Sequence, residues 1–290
     1  MSRMTPIAAV LLCVAVWSFI PVVSRLGQTD VGVFQFLLMT NLLSLVAVGF
    51  CLLPERKKIR QHIQKTNIPL SMLLGFLGCF FYYLCLYYGY AGGKSLPVLV
   101  MQYLWPTLVF MLAVLLFGDK VTRSNVLSII LGLAATVIAI SQSGNNQGNS
   151  DFFRILVVFT GAVSFALFSI LSKLEKHAST VFCVFLYFFW ASLFSLISWA
   201  LWGTISVPGT RSLFIIMVNG ILVNGLSYIL WINALANTRA TSIASLVYAT
   251  PVLSMVWMQA FFGEQITTPG VIAIGMIIAS GLLLVFPAKT

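Results

Sequence analysis

Ten apolar runs fill almost the whole chain and leave it few folds to choose from. They cover 5–25, 31–53, 68–91, 95–117, 124–142, 152–174, 180–203, 211–236, 240–262 and 268–287. Each is about 18–25 residues long, the length an α-helix needs to cross roughly 30 Å of hydrocarbon. Only 8% of the residues are charged and the mean hydropathy is +1.03, values that exclude a water-soluble domain of this length. Lipid offers no partner to a backbone N–H or C=O, so the expected fold class is an all-α integral membrane protein with ten transmembrane helices. The first run follows Arg3 as a signal segment would. It is too long for one, and no small-x-small cleavage site precedes the polar Arg25–Asp30 turn, so it is expected to remain as a helix.

The basic residues sort by side. With ten crossings, Arg3, Arg56, Lys57, Lys58, Arg60, Lys65, Lys120, Arg123, Lys173, Lys176, Arg239 and Lys289 share one side, and Arg25, Lys94, Arg154 and Arg211 the other. Twelve against four places both termini in the cytoplasm, because basic loops stay there. The net charge of +10 therefore calls for no nucleic-acid partner, and the cluster "PERKKIRQHIQK" (54–65) is expected to lie on anionic membrane lipid. Cys13, Cys51, Cys79, Cys85 and Cys183 show no CxxC or His-adjacent spacing, which suggests neither a disulfide framework nor a metal site.

One of the runs carries a proline about halfway along. The stretch "YLWPTLVFMLAVLLFGDKVT" (103–122) recurs 145 residues later as "YATPVLSMVWMQAFFGEQIT" (248–267). Tyr103 meets Tyr248, Pro106 meets Pro251, Phe117-Gly118 meets Phe262-Gly263, and Asp119 meets Glu264. The register extends upstream, where Gly75 meets Gly220 and Tyr83 meets Tyr228, and downstream to Ala134 and Ala279. The first and sixth runs align less cleanly at an offset of 148, with Trp17 opposite Phe165 and "SRL" (24–26) opposite "SKL" (172–174). A first repeat over 1–142, a polar extracytoplasmic linker over 143–151 and a second repeat over 152–290 follow. Five helices per repeat give the two halves opposite orientations, and inverted repeats of this kind characterise transporters, whose halves exchange conformations to open a central cavity to either face in turn. One chain then suffices as a monomer.

Pro106 and Pro251 read as a matched pair near the bilayer midplane, either bending helices four and nine around that cavity or acting as packing kinks. On helix three, Gly75, Gly78, Cys79 and Tyr82 share a face at helical spacing; on helix eight, Gly220, Val223, Asn224 and Ser227 do so. Small faces let helices approach closely, whereas polar groups at that depth usually face the bundle interior. The candidate substrate-binding residues are Trp17, Cys79, Tyr82, Tyr83, Gln102, Tyr103, Pro106, Ser164, Phe168, Asn224, Ser227, Tyr228, Ser245, Tyr248 and Pro251. Tyr87, Tyr88, Tyr90, Trp199 and Trp202, near helix ends, are expected in interfacial belts.

All six acids, Asp30, Glu55, Asp119, Asp151, Glu175 and Glu264, fall in loops or at helix ends. No charge at depth is left to carry a proton, and no acid/base pair or activated nucleophile can be assembled there, which argues against an enzyme. Asp119 and Glu264 are expected to cap the helices that follow them, with an ion pair to Lys120 or Arg123 as the alternative role. No metal or cofactor is expected.

Ten helices in two repeats, each closing with a proline-centred helix and a Phe-Gly-acid turn, resemble the drug/metabolite transporter superfamily, specifically its EamA-domain exporters. The resemblance covers essentially the whole chain. It implies a basket of helices one, three, four, six, eight and nine around the substrate path, and export of amino acids, aromatic or broadly neutral, across a bacterial inner membrane. Efflux of apolar or cationic drugs is the alternative it leaves. The family's small multidrug relatives carry a glutamate in the first helix; Trp17 stands in the corresponding region here, which argues against proton-coupled cation export.

Overall fold

The structure is a computed structural model that describes residues 5–92, 95–117, 123–141, 148–175, 179–237, 247, 249–265 and 267–285. Among these residues there are helices and turns and no strand.

Two of the expected spans are broken in the middle. The first is α1 (Pro6–Trp17) and α2 (Ile20–Leu26), separated by a turn at Ser18-Phe19. The fourth is α7 (Ser95–Gln102) and α8 (Trp105–Phe117), separated at Tyr103-Leu104. In both, a proline (Pro21, Pro106) sits in the first turn of the second piece, where its missing N–H removes no helical bond and its fixed φ suits a helix start. The expected bend is therefore a break one turn ahead of the proline. The second span is α3 (Val33–Leu52); it continues through a 3₁₀ turn, Leu53–Lys58, into α4 (Ile59–Lys65), which makes the exposed basic cluster helical.

The third span is α5 (Ile68–Leu74), a π-helical segment Gly75–Phe81, and α6 (Tyr82–Tyr90). The eighth has the same build: α12 (Thr210–Val218), a π-helical segment Asn219–Leu226, and α13 (Ser227–Asn237). The two widened segments match, within one residue, at the 145-residue offset of the sequence repeat. The remaining spans are α9 (Arg123–Ser141), α10 (Gly148–Leu171), α11 (Thr180–Trp202), α14 (Ala249–Phe262) and α15 (Thr268–Val285). Because α10 begins at Gly148, the last residues of the expected 143–151 linker are helical; 142–147 lie outside the described residues.

Six helical stretches are long and apolar enough to cross a membrane: Ile7–Leu26, Val33–Lys65, Ile68–Tyr90, Phe152–Leu174, Thr180–Trp202 and Thr210–Ala234. Four shorter apolar helices accompany them. Their outer faces show large side chains such as Leu115, Val137 and Phe214, a surface that suits lipid and not water.

Packing crosses between the halves at equivalent places. A Cβ on Gly75 would stand 2.6 Å from the Tyr187 carbonyl oxygen on α11, and one on Gly220 2.8 Å from the Thr40 carbonyl oxygen on α3. Only glycine permits these backbone-to-backbone approaches. Between them Asn41 Nδ2 on α3 donates to Ser195 Oγ on α11 at 2.9 Å. The spans at the two repeat ends also meet, where Ser280 Oγ on α15 lies 3.0 Å from Ser128 Oγ on α9 and 3.1 Å from Thr107 Oγ1 on α8.

Candidate functional site

The two breaks and the helices that follow the π segments meet at one buried place. A cavity of ≈ 10 Å³ lies between Trp17, Ile20, Tyr82, Tyr83, Gln102, Tyr103, Trp105, Phe165 and Tyr228. That is about the room of one water molecule, so a larger ligand needs these side chains to move apart. None of the lining residues is charged.

Aromatic rings make most of the wall and hold one another edge-on. Trp17 meets Phe165 at 6.5 Å and 86°, and Trp105 meets Phe165 at 5.0 Å and 79°. Such tilted pairs set the positive edge of one ring against the negative face of the next. Polar bonds then fix each ring. Trp17 Nε1 donates to Ser227 Oγ at 2.8 Å. Gln102 accepts from Tyr90 OH at 2.9 Å and donates from Nε2 to Tyr82 OH at 3.2 Å.

The π segments explain where several other hydroxyls go. Widening a helix from i→i+4 to i→i+5 bonding disturbs the ladder locally and leaves carbonyls for other partners. Ser164 Oγ donates to the Leu77 carbonyl at 2.8 Å, Tyr228 OH to Gly78 at 2.8 Å, and Asn41 Nδ2 to Cys79 at 3.3 Å. In the second repeat, Ser44 Oγ donates to the Gly220 carbonyl at 2.7 Å. Most of these donors come from the opposite half of the chain.

Of the residues expected to bind substrate, Trp17, Tyr82, Tyr83, Gln102, Tyr103 and Tyr228 line the cavity. Pro106 and Pro251 are buried in the first turns of α8 and α14. Ser227 orients Trp17 from behind, Ser164 holds the π segment, and Cys79 belongs to that segment. Phe168 packs on Gly78, where a Cβ would come within 2.4 Å of its ring. Asn224 is directed elsewhere, donating with Asn219 to Tyr87 OH at 3.0 and 2.8 Å. Ser245 and Tyr248 lie outside the described residues.

Three lining residues were not in the expected set. Phe165 was signalled as the repeat partner of Trp17, and Trp105 by its place beside Pro106; nothing in the pattern marks Ile20. The shared face expected on helix three is split, since Gly75 faces α11 and Gly78 faces α10. Adding residues to a turn rotates everything that follows, and a 3.6-residue period does not anticipate this. Tyr87 and Tyr90, expected at the membrane interface, are fully buried with bonded hydroxyls. Glu264, expected to cap the next helix, pairs with Arg25, and Thr267 Oγ1 accepts the Gly270 N–H at the start of that helix. Gly263, at φ 65°, turns the chain out of α14 and frees Glu264 to reach across. Asp119 lies outside the described residues.

A broken-helix membrane bundle around a buried uncharged cavity defines a membrane carrier, and comparisons agree. The model of the EamA-like transporter family matches residues 4–141 and again 152–286, and the chain belongs to this family, which is part of the drug/metabolite transporter superfamily. It is 24% identical over 260 residues to the uncharacterized transporter YoaV of Bacillus subtilis, covering 87% of each chain. It is 25% identical over 179 residues to an uncharacterized transporter of Clostridium kluyveri, covering 59% of this chain and 57% of that one. A solved structure titled only as the crystal structure of a protein superposes with a TM-score of 0.74 over 97% of this chain and 96% of its own, at 17% identity; it shares the fold.

Proposed function

We propose that the protein exports amino acids, aromatic or broadly neutral, from a bacterial cytoplasm by alternating access. The cavity carries this reading: aromatic faces beside uncharged hydrogen-bonding groups, without a buried carboxylate to bind a proton. The helix breaks at Ser18-Phe19 and Tyr103-Leu104 supply joints by which the closed cavity can widen, since broken helices are tolerated at membrane depth where they line such a site. The charge distribution favours cytoplasmic termini, the internal repeat makes a single chain sufficient, and membrane lipid is its surroundings. The two five-helix halves, 1–142 and 152–290, act as the exchanging bodies, and finer likeness to bacterial aromatic amino acid exporters belongs to this reading.

The same aromatic faces favour a second reading, efflux of apolar or cationic drugs, because a desolvated cation is attracted to a ring face. Counterflow separates the two. Purified protein in liposomes loaded with unlabelled phenylalanine is expected to take up labelled phenylalanine without an imposed pH gradient. Uptake of a quaternary-ammonium dye alone, or a strict need for a proton gradient, would overturn the amino acid reading.

A further inference from the structure

The cavity has a chemical bias at its α7–α8 wall. Tyr103 is 3% exposed and lines the cavity, and its hydroxyl lies close to those of Thr250 and Ser254 without a partner in hydrogen-bond geometry. Its polar neighbours Thr250 and Ser254 donate their own hydroxyls to the carbonyls of Val247 and Ser18. Tyr82, on the adjoining wall, accepts from Gln102 and has no acceptor for its own proton among the described residues. Behind the wall, Trp231 Nε1 is also buried and unpartnered, packed against Trp17 and Trp105 at 5.2 and 5.8 Å. A buried donor without an acceptor is unfavourable, and three such groups, the hydroxyls of Tyr103 and Tyr82 and the Trp231 Nε1–H, gather at this wall, among whose lining residues no side chain is positively charged.

The backbone adds to this. Helix α8 begins at Trp105, which itself lines the cavity. The first N–H groups of a helix have no intrahelical partner. Leu104, preceding it, has no polar atom with which to cap them, and Pro106 has no N–H. The N-terminus of α8, beginning at the lining residue Trp105, therefore stands at the same wall as the Tyr103 hydroxyl, and the last carbonyls of α7 end beside it at Gln102.

We propose that this wall is a carboxylate-binding subsite, in which the Tyr103 hydroxyl and the N-terminus of α8 receive the carboxylate of the transported molecule while its side chain lies among Trp17, Tyr83, Phe165 and Tyr228. The inference rests on the amino acid reading and adds the group that is recognised. It favours ligands that bring a carboxylate over those that bring only a cation, because a carboxylate accepts from the unpartnered donors and a cation leaves them unpartnered.

Binding is read by isothermal titration calorimetry, with phenylalanine, 3-phenylpropionate (carboxylate, no amine) and phenethylamine (amine, no carboxylate) as probes. The wild type is expected to bind the first two in preference to phenethylamine. Tyr103→Phe removes one oxygen without changing the shape; it should weaken phenylalanine and 3-phenylpropionate by about ten- to a hundredfold, the loss of a hydrogen bond to a charged group. Phenethylamine binding should not change. Tyr88→Phe, away from the cavity, is the control, and unchanged thermal melting of both variants excludes misfolding. Equal weakening of all three probes by Tyr103→Phe, or no weakening of phenylalanine, overturns the subsite and leaves amino acid export standing. A wild type that binds phenethylamine but neither carboxylate probe overturns both.

Discussion

The two ends of the bundle are held in different ways. At the end where α2 leaves and α14 finishes, the polar bonds join one half of the chain to the other. Arg25 pairs with Glu264 and lies 3.9 Å above the Phe262 ring. Asp30 accepts from Ser212 Oγ at 2.6 Å and from the Gly209 N–H at 3.1 Å; Thr29 Oγ1 meets Ser212 Oγ at 2.9 Å, and Gln35 exchanges two bonds with Ser206. Arg154 reaches from α10 to the Tyr88 carbonyl at 2.9 Å. At the opposite end, among the described residues, Glu55 pairs with His62 inside the first half, and Tyr187 donates to Glu175 inside the second. Among the described polar bonds, motion of one half against the other must break every one of the first kind and none of the second; at the second end the described contact between halves is the stack of His62 on Phe182 at 5.5 Å. The first end is therefore latched, and with the proposed orientation it faces away from the cytoplasm.

The largest test of that difference is to make the latch covalent. Thr29→Cys with Ser212→Cys places two thiols where the hydroxyls are 2.9 Å apart, close enough for a disulfide after small adjustment. Oxidation should abolish counterflow and a reductant restore it; transport that survives complete cross-linking means that this end need not open. Next in size are Gly75→Ala and Gly220→Ala, which push a methyl into backbone at both crossing points of the halves. Backbone cannot swing aside, so each is expected to cost about 1–3 kcal/mol, read as a lower melting temperature in detergent. If only one variant is destabilised, the two crossings are not equivalent.

Much of this arrangement was legible in the sequence, and its limits are physical. The 145-residue register located Gly75 and Gly220 as counterparts because an approach that excludes any side chain leaves a glycine in the text. Trp17, Tyr82, Gln102 and Tyr103 were legible because polar and aromatic groups at membrane depth are drawn to the interior. The π segments are not legible, since an inserted residue changes bonding without any composition of its own, and so the single face that helical spacing predicts on helix three is split between α11 and α10. Tyr87 and Tyr90 were sent to the interface by their position, whereas Asn219, Asn224 and Gln102 satisfy their hydroxyls inside. The Arg25–Glu264 pair spans 239 residues, and only the fold brings its members together.

A smaller effect is expected from that ion pair alone. Its side chains are 23% and 27% exposed, so it contributes about 0.2–1 kcal/mol. Glu264→Gln should shift the population towards an open latch by about 1.4- to fivefold, measured as thiol labelling of a cysteine at position 31, buried beside Asp30 and outside the latch bonds, in a background with the native cysteines replaced. Combining Arg25→Glu with Glu264→Arg should restore the wild-type labelling rate. If Glu264→Gln leaves labelling unchanged, the Asp30 bonds hold that end unaided.

Acid should act on the two ends in opposite directions. The Asp30 carboxyl is held below its ordinary value of 3.8, chiefly by the Ser212 hydroxyl and then by the Gly209 N–H. A carboxyl whose value is lowered by folding stabilises the fold above its unfolded value and loses that contribution as pH falls through its folded one. The latch therefore keeps its full contribution down to about pH 4 and weakens below it. Glu175 is shifted the other way: burial raises its carboxyl above 4.5, against the lowering effect of the Tyr187 hydrogen bond. Its charged form is the disfavoured one, so its end is strained at neutral pH and relaxes as pH falls through the raised value towards 4.5. Between neutrality and about pH 4.5, melting temperature should rise slightly in the wild type and stay flat in Glu175→Gln, which has no charge to lose. The same rise in both variants would place its origin elsewhere than the Glu175 end.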